Sequence, residues 1–147
     1  MSVGKSVDIL LVEDNPNDAE LIARALEKHK FIKKVHVVES GEEALDFLFA
    51  RGKFEKRKRE PAVKLVFLDL NLPGMSGIDV LKEMRADDST RNMPVVVLTV
   101  SKEEGDMLDS YSLDVSRYIV KPASFDRFAE ELSELALYWL LFDQLPD

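Results

Sequence analysis

The stretch KLVFLDLNLPGMSG, from Lys64 to Gly77, places a strand pattern directly before a turn pattern. Leu65 to Leu68 is an apolar run of strand length, and Asp69 follows it before a segment rich in asparagine, proline and glycine. The pattern predicts a buried strand that ends in an acid where the chain reaches the surface. In open α/β sheets, sites form outside the carboxyl ends of the strands, so the residues at the other strand ends bear on function.

Strands and helices alternate on both sides of this stretch. Apolar runs of four to six residues predict the strands, and each is followed by a helical pattern. The five predicted strands are Val7 to Val12, Lys34 to Val38, Leu65 to Asp69, Val95 to Thr99 and Arg117 to Val120. This alternation requires right-handed crossovers, and it therefore predicts an α/β fold with a parallel sheet covered by helices on both faces.

Capping residues and apolar stripes predict the five helices. The expected caps are Asn17 with Glu20, Ser40 with Glu43, Ser76 with Asp79, Ser101 with Glu104, and Ser124. The expected apolar stripes are Leu21, Ile22, Ala25 and Leu26; Ala44, Leu45, Leu48 and Phe49; Ile78, Leu81 and Met84; Met107, Leu108 and Tyr111; and Phe125, Phe128, Ala129, Leu132, Ala136 and Trp139. Each stripe should face the sheet.

The connection from Arg51 to Lys64 has no apolar periodicity and is unusually long for a loop. It holds seven Lys or Arg against Glu55 and Glu60, so it carries +5 in a chain whose net charge is −8. A solvated loop and a docking or dimer contact with an acidic surface are the two interpretations of this charge.

Length and composition restrict the class of protein. The 147 residues are 46% hydrophobic, which suits one domain spanning residues 1–147 with an extended C-terminal helix and tail. The chain has no cysteine, no apolar signal region at its start and no apolar run near the roughly 20 residues of a membrane helix. We therefore expect a cytoplasmic protein without membrane association. The negative net charge argues against nucleic acid as a partner.

The predicted strand ends carry residues suited to phosphoryl transfer. Glu13 and Asp14 follow strand one, Asp69 ends strand three, Thr99 ends strand four and Lys121 follows strand five. Crowded carboxylates without His or Cys favour Mg²⁺ or Mn²⁺, a carboxylate can act as a nucleophile, and hydroxyl and ammonium groups can hold phosphoryl oxygens. Each residue alone is equally typical of an ordinary loop or strand end, but their coincidence at one sheet edge indicates a site.

The segments ILLVEDN, FLDLNLPGMSG, VVVLTVS and RYIVKPAS resemble those of response-regulator receiver domains of two-component signalling, over nearly the whole chain. The resemblance implies a flavodoxin-like, doubly wound sheet of strand order 2-1-3-4-5. It also implies that Asp69 accepts a phosphoryl group from a sensor histidine kinase, with Mg²⁺ as cofactor. The implied metal ligands are Glu13, Asp14, Asp69 and the backbone carbonyl of Asn71.

The resemblance further implies a switch. Thr99 and Lys121 would hold phosphoryl oxygens, and Tyr118 falls at the position of the aromatic residue that turns inward as Thr99 moves. The fourth helix, fifth strand and fifth helix would then signal to a downstream protein whose identity the sequence does not give. After Thr99 the family usually has a small residue, whereas this chain has Val100, which is expected to narrow access to the phosphoryl group.

Three other functions are less consistent with the sequence. A non-switching interaction module would not need the intact set of strand-end residues. Phosphatases that form an aspartyl phosphate resemble DxDxT, whereas the segment DLNLP from Asp69 to Pro73 lacks a second acid. A carrier of flavin mononucleotide would need a Ser-, Thr- and Gly-containing loop where this chain has EDNPND. We therefore expect a phosphoacceptor that catalyses only its own phosphorylation and dephosphorylation, and not an enzyme acting on other substrates.

The long basic connection and the tail YWLLFDQLPD resemble single-domain receivers found with phytochrome-like sensor kinases. The segment LALYWLLF, Leu135 to Phe142, is apolar on all sides, so part of it should stay exposed. The residues expected in this patch are Leu137, Tyr138, Leu140, Leu141 and Phe142. A symmetric homodimer is the favoured interpretation, and a tail folded back on its own domain is the alternative.

Overall fold

A computed structural model describes residues 9–30, 32, 34–57, 63–122 and 126–142 as a parallel sheet flanked by helices. The strands are β1 (Ile9–Val12), β2 (Val35–Val38), β3 (Leu65–Asp69), β4 (Val95–Thr99) and β5 (Arg117–Val120). The helices are α1 (Pro16–Glu27), α2 (Gly41–Leu48), α3 (Gly77–Ala86), α4 (Lys102–Met107) and α5 (Asp126–Phe142), with short 3₁₀ helices at Gly52–Phe54 and Leu108–Tyr111. The strand order is β2-β1-β3-β4-β5, as predicted.

The sheet is buried on both faces because successive side chains of each strand point to opposite sides. In β1, Leu10 and Val12 join one apolar cluster with α2 and α3, while Ile9 and Leu11 join a second cluster with α1 and α5. All residues of β1, β3 and β4 are buried. The continuous apolar runs in the sequence therefore reflect a two-sided core.

Helix α1 begins two residues earlier than predicted. Its N-cap is Asn15, whose Oδ1 accepts hydrogen bonds from the N–H groups of Asn17 and Asp18 at 2.9 and 3.1 Å. The predicted cap, Asn17, is wrong because Pro16 occupies the first helical position, where a fixed φ and a missing N–H are tolerated. The predicted stripe is also wrong at one position: Leu21 is 40% exposed instead of buried.

Three serine caps are confirmed. The hydroxyls of Ser40, Ser76 and Ser101 each accept a hydrogen bond from the backbone N–H three residues later. In α2, the carboxylate of Glu43 accepts from the N–H of Glu39, one residue before the cap. The predicted cap Ser124 lies outside the described residues.

Helix α4 is shorter than the predicted fourth helix. It ends at Met107, and the chain tightens into the 3₁₀ helix Leu108–Tyr111. Because residues that share a face in an α-helix separate when the turn tightens, the predicted stripe does not hold. Leu108 is buried, whereas Met107 is 51% and Tyr111 39% exposed.

The described part of the basic connection is folded against α2 and is not a fully solvated loop. The guanidinium of Arg57 lies 4.0 Å from the centre of the Phe47 ring and donates to the Phe47 carbonyl at 2.8 Å. Phe47 also packs edge-on against Phe54, at 5.0 Å between ring centres. Lys53 pairs with Glu43. The solvated-loop interpretation is therefore incomplete for this part, and the docking interpretation stays a prediction; residues 58–62 lie outside the described residues.

Helix α5 covers the second cluster beside α1. Phe128, Ala129, Leu132 and Ala136 are buried as predicted, Trp139 is half-buried, and Phe125 lies outside the described residues. The exposed apolar patch is smaller than predicted and consists of Leu141 (49% exposed) and Phe142 (59%). Leu137, Tyr138 and Leu140 are half-buried instead, and Leu140 packs on the second cluster. Among the described residues, none of the helices has the length and apolar character needed to cross a membrane.

Candidate functional site

The strand register brings the predicted site residues to one edge of the sheet. Strands β1 and β3 pair in register up to the residues just before Glu13 and Asp69, so the two acids come next on neighbouring strands. On the other side of β3, Thr99 is the last residue of β4 and pairs with the residue before Lys121. The start of α3 packs closely against the backbone of Asp69 at this edge. A Cβ on Gly77 would lie 2.7 Å from the Asp69 carbonyl oxygen, so only glycine allows α3 to begin here.

Lys121 joins the two buried acids. Its Nζ donates to Asp69 Oδ2 at 2.6 Å and to Glu13 Oε1 at 2.9 Å. The side chain of Lys121 is 13% exposed, against 1% for Glu13 and 2% for Asp69. Two carboxylates thus share one ammonium group in a largely dry setting, which makes each of these contacts strong.

Burial and the contacts of Lys121 with the two acids shift the pKa values of Glu13 and Lys121. Burial raises the pKa of Glu13 to about 7; the hydrogen bond from Lys121 opposes the rise, and the nearby charge of Asp69 adds to it. Burial on its own would lower the pKa of the Lys121 ammonium, but its hydrogen bonds to Asp69 and Glu13 outweigh that effect and raise the pKa. Lys121 is therefore held in its charged form between the acids.

Asp14 completes a cluster of three carboxylates. Oxygen atoms of Glu13, Asp14 and Asp69 all lie within 4.8 Å of one another, with Asp14 exposed and the other two buried. One ammonium compensates at most one of these charges, and an all-oxygen donor set suits a hard divalent cation. Asn71 lies beside the cluster, since its N–H donates to Asp69 Oδ1 at 2.9 Å. The residues therefore fit a divalent metal ion.

Thr99 is fully buried, and its hydroxyl is engaged by a residue that the sequence did not assign to the site. Thr99 Oγ1 donates to Glu104 Oε1 at 2.5 Å, and the same carboxylate accepts from Asn71 Nδ2 at 3.2 Å. Glu104 was predicted only as half of the Ser101 capping box. Its backbone N–H bonds the Ser101 hydroxyl as a capping box requires, but its carboxylate does not return the bond to the Ser101 N–H, so half of that prediction is wrong. The direction of the side chain depends on tertiary contacts that leave no local sequence signal.

Tyr118 is half-buried on β5 and lies against α4. Its hydroxyl donates to Asp106 Oδ1 at 2.6 Å, and its ring covers Gly105 so closely that a Cβ there would be 2.2 Å from ring carbons. The structure therefore places the predicted switch residue beside the helix turn that also carries Glu104. Val100, next to Thr99, is 59% exposed. Its expected effect on access stays a prediction.

Comparison with known proteins agrees with this arrangement. Residues 9–133 match the family model described as response regulator receiver domain. The chain is 36% identical over 138 residues to the probable methanogenesis regulatory protein FilR2 of Methanothrix harundinacea, which covers 94% of this chain and 86% of that protein. It is 33% identical to the response regulator Rcp1 of Synechocystis sp., with 94% of this chain and 92% of Rcp1 covered.

Two solved structures are similar along almost their whole length. The crystal structure of the phosphorylated cyanobacterial phytochrome response regulator RcpA gives a TM-score of 0.82 at 36% identity, covering 97% of this chain and 100% of RcpA. The Mn²⁺-bound form of Rcp1 gives 0.81 at 33% identity, covering 95% of this chain and 98% of that chain. The chain therefore belongs to the response-regulator receiver domains of two-component systems.

Proposed function

We propose that this protein is a phosphorylation-dependent switch in which Asp69 accepts a phosphoryl group from a sensor histidine kinase. The observation that carries the proposal is the position of the Asp69 carboxylate. It is 2% exposed, receives a hydrogen bond from Lys121 at 2.6 Å, and lies within 4.8 Å of the carboxylates of Glu13 and Asp14. A buried carboxylate with a cation partner and neighbouring metal ligands is suited to act as a nucleophile toward phosphorus.

In the proposed reaction, a carboxylate oxygen of Asp69 forms a bond to phosphorus while the bond from phosphorus to the nitrogen of a phosphohistidine breaks. Lys121 donates to one phosphoryl oxygen and the Thr99 hydroxyl to another. Glu13, Asp14, Asp69 and the carbonyl of Asn71 would hold Mg²⁺. A bound Mg²⁺ would supply positive charge next to the phosphoryl oxygens, which reduces their repulsion from the carboxylates. Water later attacks the phosphorus of the aspartyl phosphate, the bond from phosphorus to the Asp69 oxygen breaks, and inorganic phosphate leaves. The protein thus catalyses only its own phosphorylation and dephosphorylation.

The similar proteins support two finer parts of the proposal. RcpA is a phytochrome response regulator that was crystallised in its phosphorylated form, which favours a phytochrome-like kinase as the donor here. Rcp1 binds Mn²⁺, which favours a divalent cation at the corresponding cluster. We infer a single receiver domain over residues 1–147 that works in the cytoplasm. Its signal passes through the α4, β5 and α5 surface, which carries Tyr118, to a downstream protein and to a second copy of the chain.

Intact-mass measurement tests the phosphorylation site. With acetyl phosphate or phosphoramidate and Mg²⁺, we expect one added phosphoryl group on the wild type and none on Asp69→Asn. Asp79→Asn is a matched control, because it removes an exposed acid from the first turn of α3, outside the site. Lys121→Ala should still be labelled but should show a weaker change in hydrogen exchange of α4. Labelling that survives in Asp69→Asn, or that needs no metal, would contradict the assignment.

A further inference from the structure

Glu104 lies where it can oppose phosphorylation. It occupies the third position of α4, and its carboxylate bridges two separate parts of the site. It accepts from Thr99 Oγ1, at the end of β4, at 2.5 Å and from Asn71 Nδ2, in the segment after β3, at 3.2 Å. A residue at this helix position would ordinarily turn its side chain back to the capping residue's N–H. Here the Ser101 N–H instead contacts Thr99 Oγ1 at 3.3 Å, so Glu104 is directed to the site.

We propose that Glu104 is a latch: its carboxylate holds the Thr99 hydroxyl in the unphosphorylated protein and must be displaced before Thr99 can bind a phosphoryl oxygen. The inference rests on the proposed function, because it concerns the same Thr99 hydroxyl. Glu104 is a positioning residue in this scheme, since it acts on the phosphoryl group through Thr99 and does not touch Asp69.

The hydroxyl of Thr99 can donate to Glu104 or to a phosphoryl oxygen, but not to both. A threonine hydroxyl has a single proton to donate, so it cannot serve the Glu104 carboxylate and a phosphoryl oxygen together. A hydrogen bond from a hydroxyl to a carboxylate is charge-assisted and stronger than one between neutral groups. Breaking the bond between Thr99 and Glu104 therefore costs free energy that phosphoryl binding must supply. The negative charge that a phosphoryl group brings to Asp69 would also repel the Glu104 carboxylate.

The latch is covalently continuous with the residues that hold Tyr118. Gly105 underlies the Tyr118 ring, and Asp106 accepts the Tyr118 hydroxyl proton at 2.6 Å. Three consecutive residues of α4 therefore contact Thr99 at one end and Tyr118 at the other. Release of Glu104 from Thr99 frees the start of α4, and the two residues that follow Glu104 are the ones that hold Tyr118. This connection gives the phosphoryl group a short physical route to the β5 surface.

Binding of beryllofluoride, a phosphoryl mimic, tests the latch without turnover. We compare affinities by calorimetry at fixed Mg²⁺ for the wild type, Glu104→Ala and Glu104→Gln. Loss of a charge-assisted hydrogen bond that opposes binding should tighten Glu104→Ala roughly tenfold. Glu104→Gln should show a smaller gain, because its amide oxygen still accepts from Thr99. Glu103→Ala is the matched control: it removes an exposed acid from the same turn and should change affinity less than twofold.

A double-mutant cycle shows whether Glu104 acts through Thr99. In a Thr99→Val background, Glu104→Ala should tighten beryllofluoride binding much less than in the wild type, because only the charge repulsion is then left to relieve. In urea unfolding of the metal-free protein, the two substitutions should be non-additive. Two outcomes would overturn the latch and leave the proposed function standing, provided that the wild type binds beryllofluoride. One is additive changes in the free energy of unfolding, and the other is equal beryllofluoride affinities of Glu104→Ala and Glu103→Ala. A wild type that does not bind beryllofluoride would overturn the proposed function and the latch with it.

Discussion

Lys121 sets the charge balance at the residue scale. It contacts two buried acids at 2.6 and 2.9 Å, and Asp14 adds a third carboxylate at the surface of the same cluster. Burying charges is tolerable only when each has a partner of opposite sign, so the arrangement is incomplete with the lysine alone. Burial, together with the nearby charge of Asp69, raises the pKa of Glu13 to about 7, and a divalent cation would favour the charged form of this carboxyl. Cation affinity and fold stability are therefore linked through this one cluster.

His36 provides a residue-scale test of pH dependence away from the site. Its ring stacks on Phe47 at 4.2 Å between centres. Burial lowers the pKa of His36, the positive charges of Lys34 and Arg57 lower it further, and Glu43 opposes them. The folded protein thus favours the neutral ring. Stability from this group is complete above the ordinary pKa of about 6.5 and is lost as the pH falls through the folded pKa, because the unfolded chain takes up the proton first.

We therefore expect His36→Phe, which keeps an aromatic ring on Phe47, to gain stability relative to the wild type as the pH falls from 8 to 5. Urea unfolding at several pH values measures the difference, and groups common to both proteins cancel in it. His29→Phe is the control, because His29 lies at the end of α1 in contact with Ser133. A difference between wild type and His36→Phe that does not change with pH would contradict the lowered pKa.

At the scale of the element, α4 is a short helix built around one glycine. Gly→Ala in a helix interior ordinarily stabilises by about 1 kcal/mol. Here the new Cβ would lie 2.2 Å from the Tyr118 ring, so the ring would have to leave. We expect Gly105→Ala to destabilise by about 1–2 kcal/mol, the usual cost of overpacking, and to shift Tyr118 to a more exposed position.

Urea unfolding and the quenching of tyrosine fluorescence measure the two effects of Gly105→Ala. In a Tyr118→Ala background the same substitution should become neutral or stabilising, because nothing opposes the helix propensity of alanine. A stabilising effect in the wild-type background would mean that the ring does not need the space above Gly105.

The elements also show what local sequence patterns can predict. Apolar runs identify β1, β3 and β4 because every residue of these strands is buried. The outer strands β2 and β5 are partly exposed and include His36 and Arg117, so their apolar runs are shorter. The start of α1 was misplaced because the polar segment before it offers several capping residues; the proline at position 16 was the signal that identifies Asn15 as the cap. The exposure of Met107 could not be predicted, because the change from α to 3₁₀ geometry depends on how the segment packs.

The strand-end residues of the site could be predicted from the sequence, whereas Glu104 and the contacts between the side chains could not. Acids, a hydroxyl and an amine fall at the ends of β1, β3, β4 and β5, which are neighbours in the sheet, and the parallel topology requires that those ends meet at one edge. The sequence does not specify that Lys121 bridges Glu13 and Asp69, or that Glu104 reaches Thr99. Those contacts depend on side-chain directions fixed by packing of separate segments, and no local pattern encodes them.

At the scale of the whole molecule, the last turns of α5 bear on association. Leu141 and Phe142 are exposed, and the adjoining face holds a groove of about 410 Å³ between β5 and α5. Ile119, Leu135 and Tyr138 are among its lining residues. A second copy related by a two-fold axis would cover this surface on both chains at once. The patch is smaller than the sequence suggested, so its burial contributes less against the cost of association, and the dimer should be weak.

Light scattering over a range of concentrations tests this dimer, with and without acetyl phosphate and Mg²⁺. We expect the wild type to form dimers at high concentration, and Leu141→Glu with Phe142→Glu to stay monomeric, because two charges at the patch would have to be buried without partners. Leu21→Glu is the matched control, since it places a negative charge at an exposed leucine on α1 and should leave the dimer intact.

Phosphorylation is expected to change the affinity of the dimer. Tyr118 lies on β5, beside the groove, and its hydroxyl contacts Asp106 of α4, so a movement of α4 can reach this face. A wild type that is monomeric at high concentration in both states would refute the dimer and favour a tail folded back on its own domain.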